Sequence, residues 1–326
     1  MRSAKGSSYD SGMKTLAGKV CLVAGATRGA GRGIAIELGA AGATVICTGR
    51  STRAQASDLN RPETIEETAE LVSSAGGIGI AIRCDHTQES EVQALIERIK
   101  LEHERLDVLV NDIWGGEKLI DWGKKFWELQ PAKTFKLIER ATFTHIITAR
   151  YATPLMLETG PGLILEITDG DGDSYRGNFA YDLVKTTVIR MAKGMAAEFD
   201  GQTITADQSG STSGQPLAQL TVAALTPGFL RSEEMLEHFG VTEQNWQDGA
   251  RKDPYFALSE TPHFVGRAVA ALASDLNNSR FAGQALSSWG LSEIYGFTDL
   301  DGSRPHWGKN FPALKAKLEA QTNAPV

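Results

Sequence analysis

Short apolar runs alternate along this chain with longer amphipathic stretches. Val20 to Ala24 is apolar, leads into a glycine cluster and reads as a strand; Ile34 to Ala41 then reads as a helix. Ala43 to Thr48 predicts a second strand, and Glu63 to Ser74 a helix preceded by Pro62, whose fixed φ suits a first turn. Gly79 to Cys84 is a third strand. Glu89 to Glu104 sets Val92, Leu95, Ile96 and Ile99 on one helical face. Leu106 to Val110 is a fourth strand, followed by a long loop with a short helix over Trp114 to Gln130 and a mostly helical stretch from Pro131 to Leu157. Leu163 to Thr168 is a fifth strand and Ala180 to Phe199 a helix. Gln202 to Gln219 is polar, rich in Ser, Thr, Gly and Gln, and reads as a long loop of the kind that is often mobile or functional. Leu220 to Leu225, helical segments at Ser232 to Phe239 and Thr261 to Ala273, and a last strand at Gln284 to Ser287 complete the pattern. Strands alternating with helices predict an α/β fold with a doubly wound, mostly parallel seven-stranded sheet flanked by helices. No second domain or internal repeat is visible. Residues 1–15 read as a flexible lead-in, 16–298 as the domain and 299–326 as a C-terminal extension; Gly290 to Val326 shows little periodicity and is expected to wrap the surface or reach a neighbouring subunit.

A hydrophobic share of 41% across 326 residues is enough for a core and excludes a wholly disordered chain. The net charge of −7 argues against nucleic acid or an anionic membrane as the main partner, while leaving room for a local basic pocket. No apolar stretch has the length of a membrane span, and the polar start lacks a signal-peptide core. Cys21, Cys47 and Cys84 form no CxxC pair and sit in apolar runs, so they read as buried small hydrophobes in a reducing, cytoplasmic compartment, with no metal site.

Chemistry concentrates in two places. After the first strand the chain reads Gly25-Ala26-Thr27-Arg28-Gly29-Ala30-Gly31, with a helical run behind it. Glycines there allow a sharp turn against a pyrophosphate, and the helix start offers free N–H groups. The second place is Tyr181-Asp182-Leu183-Val184-Lys185, where i,i+4 spacing puts a phenol and an ammonium on one helix face. A phenol has a pKa of about 10, and a nearby ammonium is expected to lower it into a range useful for proton exchange.

The G-x-x-x-G-x-G spacing, followed by YxxxK after the fifth strand, resembles the short-chain dehydrogenase/reductase family over about Leu16 to Gly296, with Ala24 where that family carries Thr. The resemblance implies a single Rossmann-type domain that binds a nicotinamide dinucleotide, with Gly25, Thr27, Arg28, Gly29, Ala30 and Gly31 at the phosphates. The second strand ends without the acid that holds a 2′-hydroxyl in NAD enzymes; Arg50 follows it, and with Arg28 it favours the 2′-phosphate of NADP(H). By resemblance Asp85 meets the adenine, Asn111 borders the cofactor, and Pro227, Gly228, Leu230 and Ser232 hold the nicotinamide carboxamide, while Lys185 also holds the ribose. Asp112 and Trp114 depart from the family's Asn-Asn-Ala-Gly.

The family's substrate-binding Ser falls on Thr168 or Asp169, depending on how the strand end is counted. Thr168 supplies a hydroxyl; Asp169 donates only when protonated. Asp169, Asp171 and Asp173 alternate with glycine and read as a solvated loop rather than a cation site. The family's helical Asn has no clear counterpart; nearby His145 is either packed or part of a proton path. The reading is an NADP-dependent enzyme interconverting a carbonyl and an alcohol, with Tyr181 as general acid/base. A non-catalytic NADP(H) sensor and a lyase or epimerase of the same family are the alternatives. Trp114, Trp122, Trp127, Phe229 and Trp246 are available to line a pocket for a small-molecule substrate. By resemblance, the helices flanking the fifth strand form a homodimer or homotetramer interface.

Overall fold

In the computed structural model, side-chain alternation in each strand decides which layer covers it. The description spans residues 14–56, 59–172, 174–199 and 220–322. In β1 (Val20–Ala24), Cys21 and Val23 join the core on one face, and Val20 and Leu22 join the core on the other. The same two-sided burial recurs in β2 (Thr44–Gly49), β4 (Val108–Asn111), β5 (Gly162–Ile167) and β6 (Leu220–Thr226). With β3 (Ile78–Arg83) and β7 (Ala285–Ser287) these strands make one sheet in the order β3-β2-β1-β4-β5-β6-β7, and every pairing is parallel. Strands buried on both faces are what a parallel sheet between two helical layers requires.

One layer holds α1 (Gly29–Ala40), α2 (Ile65–Ser74) and α8 (Pro262–Ser274); the other holds α3 (Glu89–His103), α5 (Thr144–Thr159) and α6 (Phe179–Phe199). A Cβ on Gly33 would lie 2.1 Å from the carbonyl oxygen of Pro262, so glycine there lets α1 and α8 meet almost backbone to backbone. α1 begins at Gly29, earlier than the apolar run predicts, and Gly31 and Gly33 are packing residues inside it rather than breakers. At α2 the Thr64 hydroxyl accepts the Glu67 N–H at 3.2 Å, and the helix begins just after the proline.

The stretch from Pro131 is helical, as expected, with α4 (Pro131–Ile138) passing through a π turn at Glu139–Phe143 into α5. One sequence expectation is corrected: the C-terminal segment is not irregular. It forms α9 (Ser288–Tyr295) and α10 (Trp307–Thr322), with α7 (Glu233–Phe239) earlier in the chain. The polar run 202–219 lies outside the described residues. Among the described residues no helix is long and apolar enough to cross a membrane.

The order of strands reverses between β1 and β4, and the carboxyl ends of parallel strands at such a point open a crevice. The candidate site lies there.

Candidate active site

A cavity of about 1030 Å³ runs along those strand ends, bordered by Gly25, Thr27, Arg28, Gly29, Ala30 and Arg50 after β1 and β2, and by Thr168, Asp169, Tyr181 and Lys185 beyond β5. Gly25 and Gly29 take left-handed φ of +94° and +58°. A Cβ on Gly25 would lie 2.2 Å from the Asp112 carbonyl oxygen, and one on Gly31 2.3 Å from that of Gly25. Gly31 thus acts behind the wall, allowing turn and helix to close on each other.

The N–H of Gly29 donates to Glu233 Oε2 at 2.8 Å. A carboxylate there uses the same donor and helix charge that a phosphate oxygen would use. Arg28 Nε lies 3.4 Å from Glu63, while its Nη2 is buried with no hydrogen-bond partner among the described residues. A cradle without side chains, beside a guanidinium edge lacking an acceptor, fits a phosphorylated dinucleotide.

Asp85 borders the cavity and also stabilises its own turn, accepting from Thr87 N at 3.0 Å and Thr87 Oγ1 at 2.8 Å. Pro227, Gly228, Leu230 and Ser232 border it after β6. Gly228 donates its N–H to buried Glu260 at 2.9 Å, and Ser288 Oγ donates to the same carboxylate oxygen at 2.7 Å. Burial pushes the Glu260 carboxyl up to about 8. Ser232 caps α7 by accepting the Met235 N–H at 3.3 Å. Asn111, expected at the cofactor, is corrected: it does not border the cavity but is fully buried, with Nδ2 donating to Glu166 at 2.8 Å. Glu166 also meets His145 Nδ1 at 2.5 Å, and His145 Nε2 lies 3.1 Å from the Ile113 carbonyl oxygen. His145 is therefore a packed member of a buried polar chain. No motif announced Glu166; a lone acid inside an apolar strand was its signal.

At the other end, Asn178 Oδ1 accepts the N–H groups of Ala180 and Tyr181, fixing the first turn of α6. Tyr181 donates its hydroxyl to Asp169 Oδ2 at 2.9 Å. The Thr168 hydroxyl donates instead to the Lys185 carbonyl oxygen at 2.8 Å. The structure thus separates the two candidates for the substrate-side position: Asp169 faces Tyr181, and Thr168 braces the helix. Lys185 Nζ sits 4.3 Å over the Trp114 ring and 5.7 Å from the Tyr181 ring centroid. The expected lowering of the phenol by the ammonium is therefore absent here. Burial, then the Asp169 charge and its hydrogen bond, hold the Tyr181 phenol well above its usual range. Burial also lowers Lys185, against the pull of Asp169, Asp112 and Glu117. Burial raises Asp112 to about 7.

Of the five aromatics proposed for the pocket, Trp114, Trp122 and Phe229 border it. Trp127 is exposed, and Trp246 lies under Arg231 at 3.9 Å. Four aromatics that periodicity did not mark join the wall: Tyr175, Trp289, and Trp307 and Phe311 of α10, the last two stacked at 4.6 Å. Asp173 of the acidic run lies outside the described residues, among which no group of three or more His, Cys, Asp or Glu is gathered as metal ligands would be.

A parallel sheet with its crevice at the glycine turn and a Tyr–Lys helix beside it is the arrangement of a nicotinamide oxidoreductase. The sequence model described as short chain dehydrogenase matches residues 19–209, and the chain belongs to the short-chain dehydrogenase/reductase family. Dehydrogenase/reductase SDR family member 1 of Mus musculus is 34% identical over 291 residues, covering 87% of this chain and 84% of that protein. The 7alpha-hydroxysteroid dehydrogenase of Escherichia coli (strain K12) is 27% identical over 231 residues, covering 71% and 83%. A short chain dehydrogenase structure from Mycobacterium thermoresistibile superposes with a TM-score of 0.70 at 20% identity, over 90% of this chain and 92% of that one, a likeness of fold. The chain is an oxidoreductase of a family that binds NAD(P) and acts on small molecules.

Proposed function

We propose that this protein is an NADP(H)-dependent oxidoreductase that interconverts a carbonyl and an alcohol, with Tyr181 as general acid/base and Lys185 beside it. The observation that carries the reading is that Tyr181, Lys185 and the glycine turn border one cavity. Gly25, Thr27, Arg28, Gly29 and Ala30 would hold the phosphates, Asp85 the adenine, and Pro227, Gly228, Leu230 and Ser232 the carboxamide, with Gly31 and Asn111 supporting them from behind. Preference for NADP(H) is supported by the absence of an acid after β2, by Arg50 at the cavity, and by the unpartnered buried Nη2 of Arg28. When bound in reduced form, the cofactor supplies hydride.

Tyr181 keeps its proton in this setting, the form needed to protonate a carbonyl oxygen as negative charge builds on it. Asp169 orients the hydroxyl, and Lys185 stands beside the pair over the Trp114 ring. Residues 16–298 would form the domain, with 299–326 an extension whose α10 side chains reach the substrate end. Exposed Phe143, Ile146, Phe179 and Leu183, in and beside α5 and α6, support a homodimer or homotetramer. Three buried free thiols support a reducing, cytoplasmic location.

The test is a fluorescence titration with NADPH and NADH, alongside a Tyr181→Phe variant assayed for NADPH oxidation on ketones, aldehydes and quinones. Tighter NADPH binding and loss of turnover in the variant are expected. Absence of binding by either dinucleotide overturns the reading.

A further inference from the structure

Carbonyl chemistry leaves one feature of the cavity unexplained: the group facing Tyr181 is a carboxylate. A carbonyl oxygen arriving at Tyr181 meets one donor and, next to it, an acceptor with no proton to offer. Negative charge building on that oxygen would grow beside the charge of Asp169, the reverse of what stabilises such a transition state. A positive group on the substrate, one atom from the reacting carbon, removes the conflict. It pairs with the carboxylate and lies between that charge and the oxygen.

The surroundings suit such a group. Asp169 takes its hydrogen bond from Tyr181 on Oδ2, and Oδ1 takes none among the described residues. Among the described residues no cation hydrogen-bonds the Asp169 carboxylate, although its charge pulls on Lys185. Arg176 is held by Asp182 at 2.9 Å, by Thr186 and by backbone oxygens including that of Asp169, and Lys185 lies over Trp114. The rings of Trp122 and Trp114 stand 5.4 and 5.7 Å from that of Tyr181, and aromatic faces favour a cation.

We propose that the substrate is an α-amino ketone, or in reverse a 1,2-amino alcohol, whose ammonium group is held by Asp169. The inference rests on the hydride-transfer reading of the same cavity and names its substrate class. In reduction, hydride from the reduced nicotinamide forms the new C–H bond and leaves the nicotinamide oxidised. The carbonyl π pair moves to oxygen, which takes the Tyr181 proton. The ammonium keeps its protons throughout, and Tyr181 regains one from solvent.

An isosteric pair separates charge from shape: 2-amino-1-phenylethanol, which is an ammonium at neutral pH, and 1-phenylpropan-1-ol. Calorimetric titration of the NADP+-saturated protein is expected to give at least about tenfold tighter binding of the amino alcohol, the scale of one charge-assisted hydrogen bond. Asp169→Asn and Asp169→Ser should each erase the preference between the two alcohols, with NADP+ affinity, which is set at the other end of the cavity, as the check that the variants are folded. In turnover, the kcat/KM ratio of 2-amino-1-phenylethanone to propiophenone should fall by the same factor in these variants. Equal or tighter binding of the neutral alcohol by the unmutated protein overturns the proposal, and so does a preference that survives Asp169→Asn. That outcome with NADPH binding intact leaves the carbonyl reading standing. Failure of NADPH to bind removes both.

Discussion

The two ends of the cavity are built from different materials. The phosphate end is mostly backbone: left-handed glycines, the N–H of Gly29 and a helix start, with Arg28 and Arg50 alongside. The substrate end is side chain: Asp169 beside Tyr181, Lys185, Asp112 and Glu117, the last four shifted first by burial and then by neighbouring charges. A backbone device tolerates most substitutions except at the glycines that make it possible. A side-chain device can be redirected by a single residue, as Asp169 redirects this one, without disturbing the sheet beneath.

The contrast can be broken most forcefully at Tyr181. Tyr181→Phe should lower kcat by about 10²- to 10⁴-fold with NADPH affinity unchanged; steady-state kinetics with a cofactor titration would show whether the ends are separable. Next in size is the buried support behind both ends. His145→Ala leaves Glu166 with Asn111 alone and one carboxylate oxygen unsatisfied, and should cost about 1–3 kcal/mol, read from urea unfolding. Gly31→Ala tests the backbone end: its Cβ meets the Gly25 carbonyl, so stability should fall by about 1–3 kcal/mol and NADPH affinity with it. Arg50→Ala should weaken NADPH by roughly tenfold or more, leaving NADH nearly unchanged in parallel titrations.

The smallest effect is on pH dependence. Burial raises the Glu260 and Asp112 carboxyls to about 8 and about 7. The folded protein therefore holds these protons at pH values where the unfolded chain has released them. Their stabilisation is complete below the usual carboxylate range and declines as pH rises toward 8. Glu260→Gln should flatten that decline in thermal unfolding between pH 5 and 8, with no change in cofactor preference.

The fold was legible because two-sided apolar strands and one-sided helices leave a periodic trace. The glycine turn and the Tyr–Lys spacing were legible because their chemistry requires fixed intervals. Asp169 and Thr168 could not be told apart along the chain; the distinction depends on which side chain β5 aims at Tyr181 and which at the carbonyl of Lys185. Glu166 and Glu233 were invisible because their partners, His145 and Gly29, are distant in sequence. The wall from α10 was missed because Trp307 and Phe311 pack against each other and the cavity rather than forming an apolar stripe on the sheet.

Glu233 on the N–H of Gly29 would make capture of the proposed dinucleotide a contest between two anions. An incoming pyrophosphate oxygen that takes this donor must first evict a carboxylate tethered a few ångströms away, whose effective concentration no change in the medium can dilute. The measured dissociation constant is then a difference between two occupants of one seat.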